Sequence, residues 1–211
     1  MPDFAFESIH RAAGCRIIVG VDEAGRGPLA GPVMAGAVVL PEDFRHGWLN
    51  DSKMLSPAKR DGLFEELTGN SLIRWAFAEA SVEEIDRLNI LRATHLAMQR
   101  AVAALAEPLP DIVLIDGLPV RGFPWPQQAV VKGDGLSLSI AAASIIAKVA
   151  RDRRMLELHA ALPHYGFASH KGYGTAAHLA ALQQHGPSPH HRRSFQPVAQ
   201  LTLDFGGTGD S

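Results

Sequence analysis

Four acids mark the ends of apolar runs in this chain. Asp22 and Glu23 close "IIVGVDE", Asp116 closes "IVLID", and Asp134 follows "VVKG". Unpaired carboxylates beside buried apolar residues are costly. Packed together, like charges repel and raise each other's pKa unless a cation neutralises them. If the strand ends are neighbours, all four carboxylates meet in one small volume. An all-oxygen cluster suits Mg²⁺ or Mn²⁺ rather than zinc. Two such ions ~3.5–4 Å apart activate a water and stabilise the leaving oxygen in phosphodiester cleavage. One geometric condition applies. Neighbouring strand residues point to opposite faces, so Asp22 and Glu23 share a site only if the strand bends or ends between them, which Gly25 makes feasible. Asp111, by contrast, reads as an ordinary cap or turn residue.

Other stretches carry chemistry of a second kind. "GRGPLAG" matches neither G-x-x-x-x-G-K-[ST] nor G-x-G-x-x-G, so neither nucleotide fingerprint is met. Gly25 and Gly27, on either side of Arg26, still allow close backbone approach to a sugar-phosphate. Ser137, Ser144, Lys148 and Arg151 fall close to one helical stripe. That stripe is either the polar edge of a buried alanine-rich helix or a phosphate-facing edge beside the acids. Tyr173 stands between two glycines in "HKGYGT", as a loop anchor or as a partner for a sugar or hydroxyl. "HHRRSF", from His190 to Phe195, resembles a small phosphate-binding patch. A zinc site there is disfavoured by the single cysteine and the irregular histidine spacing.

The elements that must position these residues follow from pattern. Ile17–Asp22 and Val33–Leu40 read as strands joined by the glycine loop, the first apolar at consecutive positions like a central strand. Ser56-Pro57 starts a helix to about Leu67. Leu72–Ala80 is a strand, and Ser81 to Glu84 has the form of a capping box. A long helix runs from about Asn89 to Ala106, ahead of Pro108. Short strands end at Asp116 and near Lys132, and a second long helix runs from Ser137 to about Leu162. Alternating strands and helices predict an α/β architecture, whose ligand sites gather at strand ends. Residues 1–162 form the expected catalytic domain, 163–198 a small helical C-terminal part, and 199–211 a flexible tail.

The chain has 211 residues, 46% of them hydrophobic and 20% charged, as suits a protein with a real core. The net charge of -2 hides a polarity: Gly135 to Gln200 holds seven Lys+Arg against two Asp+Glu, and seven of the ten histidines. That segment is either a solvated helix face or the side that meets an anionic partner. No run reaches ~18 apolar residues, so no membrane span is expected. "MPDFAFESIH" shows no export signal, and Cys15 is the only cysteine, which together predict a cytoplasmic protein without an internal disulfide.

Taken together, "GVDEAGRGPLAGPV", "DSKMLSPAKR", "NILRATHLAM", "IDG", "KGD", "SIAAASIIAKVARD", "HKGYGT" and "HRRSF" resemble the bacterial ribonuclease HII, or type 2 ribonuclease H, family. The resemblance covers about Ile17 to Val198. It implies a ribonuclease H-like fold, with a mixed central sheet flanked by helices and a small helical C-terminal part. It implies a metal-dependent endoribonuclease that cuts the RNA strand of RNA–DNA hybrids. It also implies incision 5′ to single ribonucleotides in duplex DNA, leaving 3′-hydroxyl and 5′-phosphate ends. Matched by motif, Asp22, Glu23, Asp116 and Asp134 are the catalytic carboxylates and metal ligands. Two Mg²⁺ or Mn²⁺ ions are expected with substrate bound. The backbone of Gly25, Arg26 and Gly27 with the Tyr173 hydroxyl corresponds to the family's reader of the 2′-hydroxyl, the group that separates RNA from DNA. Lys53, Ser144 and Lys148 are further expected substrate contacts. The family commonly has a second lysine in the "DSK" motif, where this chain has Met54. One positive charge fewer would weaken DNA-strand binding and flatten its salt dependence.

Two alternatives from other classes are a nucleic-acid-binding module without catalysis, which the intact acid set opposes, and a nucleotide-binding phosphotransferase, which lacks the fingerprints. The tail segment Gln200–Phe205, "QLTLDF", resembles short peptides that dock on a sliding clamp, or else packs back on the domain. A monomer is expected.

Overall fold

The computed structural model describes residues 1–46 and 55–201. Its centre is a five-stranded mixed sheet in the order β3-β2-β1-β4-β5. The strands are β1 (Ile18–Ala24), β2 (Val33–Val39), β3 (Arg74–Ala80), β4 (Ile112–Asp116) and β5 (Gln127–Val130). β1 pairs antiparallel with β2, and β2 antiparallel with β3, while β1, β4 and β5 run parallel. This is the mixed sheet that the family resemblance implies. The helices are α1 (Ala5–Ala12), α2 (Pro57–Gly69), α3 (Val82–Leu88), α4 (Ile90–Ala103), α5 (Leu138–Ala161), α6 (Phe167–His170) and α7 (Ala176–His185).

Alternation along β1 divides the core. Val19 and Val21 join Val113 and Ile115 of β4 in a cluster with Ala93, Ala97 and Met98 of α4. Ile18 joins Ile112 and Leu114 on the other face, against Ile140 of α5. Between them, Gly20 lies directly under α5: a Cβ there would come within 2.1 Å of the Ser139 backbone. No side chain fits, so the start of α5 rests on the strand two residues before Asp22.

Local signals account for most boundaries. The Ser56 side chain accepts from Lys59 N–H, and Pro57 occupies the first turn of α2. The capping box of Ser81 and Glu84 is present in α3. Asn89 caps α4, which ends at Ala103 rather than running to Ala106. β1 does not end at Asp22 but continues to Ala24. The sequence reading held no element before residue 17, yet α1 is there. Its buried Glu7 accepts from Ser137 Oγ at 2.6 Å and from Ser139 N–H at 3.0 Å. Glu7 thereby satisfies a donor that the start of α5 leaves without an intrahelical partner.

The segment after α5 packs back on the sheet domain. Met155 and Leu158 of α5 and Leu29 and Ala30 of the glycine loop share a cluster with Tyr165, Phe167, Leu182 and Val198. Among the described residues no helix is long and apolar enough to cross a membrane.

Candidate active site

The last paired residues of the parallel β1–β4 ladder are Val21 and Ile115. One step further, Asp22 and Asp116 stand on neighbouring strands and the same face, the face that carries α5. Asp134 reaches them from a short 3₁₀ turn, Gly133–Gly135, ahead of α5. One carboxylate oxygen from each of Asp22, Asp116 and Asp134 lies within 4.8 Å of the others. Asp22 is only 4% exposed. Burial holds its carboxyl well above the usual carboxylate range, and the charges of Glu23, Asp116 and Asp134 push the same way. Backbone N–H groups orient two of the acids: Glu23 N–H donates to Asp22 Oδ1 at 2.7 Å, and Gly133 N–H to Asp116 Oδ1 at 2.6 Å. Hard carboxylate oxygens crowded in this way fit Mg²⁺ or Mn²⁺.

Glu23 stands beside this group. β1 continues past Asp22, and Glu23 is outside the set of three converging oxygens, yet its charge acts on the Asp22 carboxyl more strongly than those of Asp116 and Asp134. Arg26 Nη1 meets Glu23 Oε1 at 3.1 Å. Both residues still line the cleft of about 240 Å³ that contains Asp22 and Asp116.

The same cleft is lined by Gly25, Gly27, Lys148, Arg151 and Tyr173. Two buried arginines shape it. Arg151 donates to the carbonyls of Ala30, Pro32 and Lys171. Arg192 is fully buried and donates to the carbonyls of Gly25, Arg26, Gly31 and Pro32. Burial pushes Arg151 down to about 10 and Arg192 to about 9, the latter also repelled by Arg151. Both values leave the guanidinium charged at neutral pH. Gly25 has φ 96, and a Cβ there would fall 1.9 Å from Arg151 Nε. Only glycine meets both conditions. Tyr173 is 48% exposed, with Cε1 3.7 Å from the position a Gly27 Cβ would take.

The other expected contacts differ in burial. Ser144 is buried, its hydroxyl donates to Ala141 C=O at 3.0 Å, and it is not among the residues lining the cleft. Lys148 does line the cleft, paired with Asp152 at 2.7 Å, and burial lowers its pKa against the opposing pull of Asp152. Within the "HHRRSF" segment His191 and Arg192 are buried on internal partners, whereas Arg193 and Ser194 are exposed. Lys53 and Met54 lie outside the described residues. Glu7 and His178 escaped the sequence reading. Periodicity puts Arg151 on the helical stripe with Ser144 and Lys148, and its burial is not visible there.

Residues 19–198 match the ribonuclease HII family. The ribonuclease HII of Dechloromonas aromatica is 61% identical over 188 residues, covering 89% of this chain and 95% of that protein. That of Paracidovorax citrulli is 59% identical over 183 residues, 87% of this chain and 75% of that protein. Among solved structures, ribonuclease H2 from Pyrococcus horikoshii is 26% identical with a TM-score of 0.74, covering 91% of this chain and all of that one. RNase HII in a PCNA complex from Archaeoglobus fulgidus is 24% identical with a TM-score of 0.71, covering 86% and 96%, and shares the fold. The chain belongs to the ribonuclease HII family and is an endoribonuclease of the ribonuclease H type.

Proposed function

We propose that this chain, beyond cutting the RNA strand of RNA–DNA hybrids, incises duplex DNA on the 5′ side of a single embedded ribonucleotide. The products carry 3′-hydroxyl and 5′-phosphate ends. The observation that carries this reading is that one cleft is lined both by Asp22 and Asp116 and by the Gly25–Gly27 loop and Tyr173.

Each set of residues has its part. Asp22, Asp116 and Asp134 would hold Mg²⁺ or Mn²⁺, two ions with substrate bound, with Glu23 completing the set. The cation would supply an activated water and charge stabilisation of the leaving oxygen. Lys148 lends positive charge to the scissile phosphate. The loop backbone and the Tyr173 hydroxyl bond the 2′-hydroxyl, so a deoxynucleotide leaves polar groups in the reader unpaired.

The tail reading is narrower. Gln200 is exposed, whereas Leu201 packs against the C-terminal cluster, which favours packing for that leucine. Residues 202–205 lie outside the described residues. A clamp contact would then run through Gln200 and the residues after Leu201.

The test is an end-labelled duplex carrying one ribonucleotide, incubated with Mg²⁺ or Mn²⁺ beside an all-DNA duplex. A nick 5′ to the ribonucleotide, with the DNA duplex uncut, supports the reading. Cleavage confined to continuous RNA–DNA hybrid, or binding without a nick, contradicts it.

A further inference from the structure

Behind the reader lies a chain of hydrogen bonds that reaches both of its halves from one dipeptide. Ser188 N–H donates to His191 Nδ1 at 3.0 Å, and Ser188 Oγ lies 2.8 Å from the same nitrogen. His191 Nδ1 is therefore an acceptor, and the ring's proton sits on Nε2. That Nε2 is 3.0 Å from His178 Nε2. His178 must accept there, so its proton is on Nδ1, which donates to the Tyr173 carbonyl at 2.9 Å. Only two neutral rings with these tautomers satisfy every partner; a proton added to either ring sets N–H against N–H. The stacked His170 ring, 4.4 Å from His178, is fixed in turn by Tyr165 C=O and Gly172 N–H.

Arg192, the next residue, acts on the other half. It draws the carbonyls of Gly25 and Arg26 inward at 2.6 and 2.8 Å. In a trans peptide the N–H points opposite to the C=O. The N–H groups of Arg26 and Gly27 are thereby turned away from Arg192, to the side where the cleft lies.

We infer that His191 and Arg192, with His178, are positioning residues for the 2′-hydroxyl reader. His191 fixes Tyr173 through His178, and Arg192 sets which edge of the glycine loop meets the substrate. The inference rests on the reader assignment above but is separable from it. Lysine in place of Arg192 keeps the charge and loses the fork that spans several carbonyls. Glutamine in place of His191 keeps a donor towards His178, whereas phenylalanine fills the space and donates nothing.

The experiment compares His191→Phe, His191→Gln and Arg192→Lys with the parent and with Tyr173→Phe. It measures single-turnover incision at one ribonucleotide, cleavage of a continuous hybrid, and amide exchange at 24–28 and 171–175. His191→Phe is expected to lose about tenfold or more at the single ribonucleotide, and less on the hybrid. Its loss should shrink in a Tyr173→Phe background. His191→Gln should recover most of the activity, and Arg192→Lys should speed exchange at 24–28. If Tyr173→Phe incises like the parent while His191→Phe still speeds exchange at 171–175, the reader assignment fails and the positioning stands. Unchanged exchange in both segments overturns the inference. So does a His191→Phe loss of equal size with and without the Tyr173 hydroxyl.

Discussion

Asp22 and Asp116 occupy the same face of two parallel strands, one step beyond the last paired residues, Val21 and Ile115. A parallel ladder brings equivalent strand ends together, so two acids that are far apart in sequence become lateral neighbours. Asp134 closes the group from the turn before α5. The arrangement sets like charges against each other around Asp22, a repulsion that a bound cation would relieve.

That repulsion is measurable. Asp22→Asn removes one buried charge at nearly constant shape. In the presence of a chelator the variant should melt higher than the parent, by roughly 2–4 °C per kcal/mol relieved for a chain of this size. Adding Mg²⁺ or Mn²⁺ should raise the parent's midpoint and leave the variant's nearly unchanged. A lower midpoint for the variant in chelator would mean that Asp22 is paired rather than strained.

Gly25 carries two constraints at once, a positive φ and the Arg151 side chain where a Cβ would go. Gly25→Ala should destabilise the fold by about 1–3 kcal/mol. It should also reduce incision more than tenfold, since a displaced Arg151 releases the carbonyls of Ala30, Pro32 and Lys171. Denaturant titration and single-turnover rates check both parts. An alanine variant with parental stability would show that Arg151 yields without cost.

The histidine pair gives stability a pH dependence of known sign. Burial and His178 push His191 down to about 3, and burial also lowers His178. Free imidazoles take up protons near ~6.5, so below that the unfolded chain binds protons that the folded pair refuses. The contribution is full above pH ~6.5 and is lost as pH falls from there towards 3. Each such group adds a slope of up to about 1.4 kcal/mol per pH unit. Comparing the parent with His191→Gln between pH 7.5 and 5 isolates it, and the parent should lose the more stability. Parallel curves would place a charged ring in the pair.

Much of this was legible in the chain. The apolar run at Ile17, the cap residues Ser56 and Ser81, and acids at strand ends all express local chemistry, and the sheet and most helices followed from them. What was not legible depends on partners distant in sequence. Glu7 drew no reading at all, because its partner, Ser137, lies 130 residues away. His191 and Arg192 fell in a segment that resembled a phosphate-binding patch, because nothing local shows their partners, His178 and the Gly25 carbonyl. Ser144 fell on a polar stripe by periodicity, but a serine can return its proton to the preceding turn and be buried at little cost.

The most direct measurement is single-turnover incision of a duplex with one ribonucleotide, by the parent and by Asp116→Asn, across a titration of Mg²⁺ or Mn²⁺. The account predicts a cation-dependent nick 5′ to the ribonucleotide by the parent. It predicts at least ~10²-fold slower cleavage by the folded variant, the scale of losing one strong electrostatic stabiliser. Cleavage by Asp116→Asn within a few-fold of the parent, or a parental nick that persists in chelator, would contradict it.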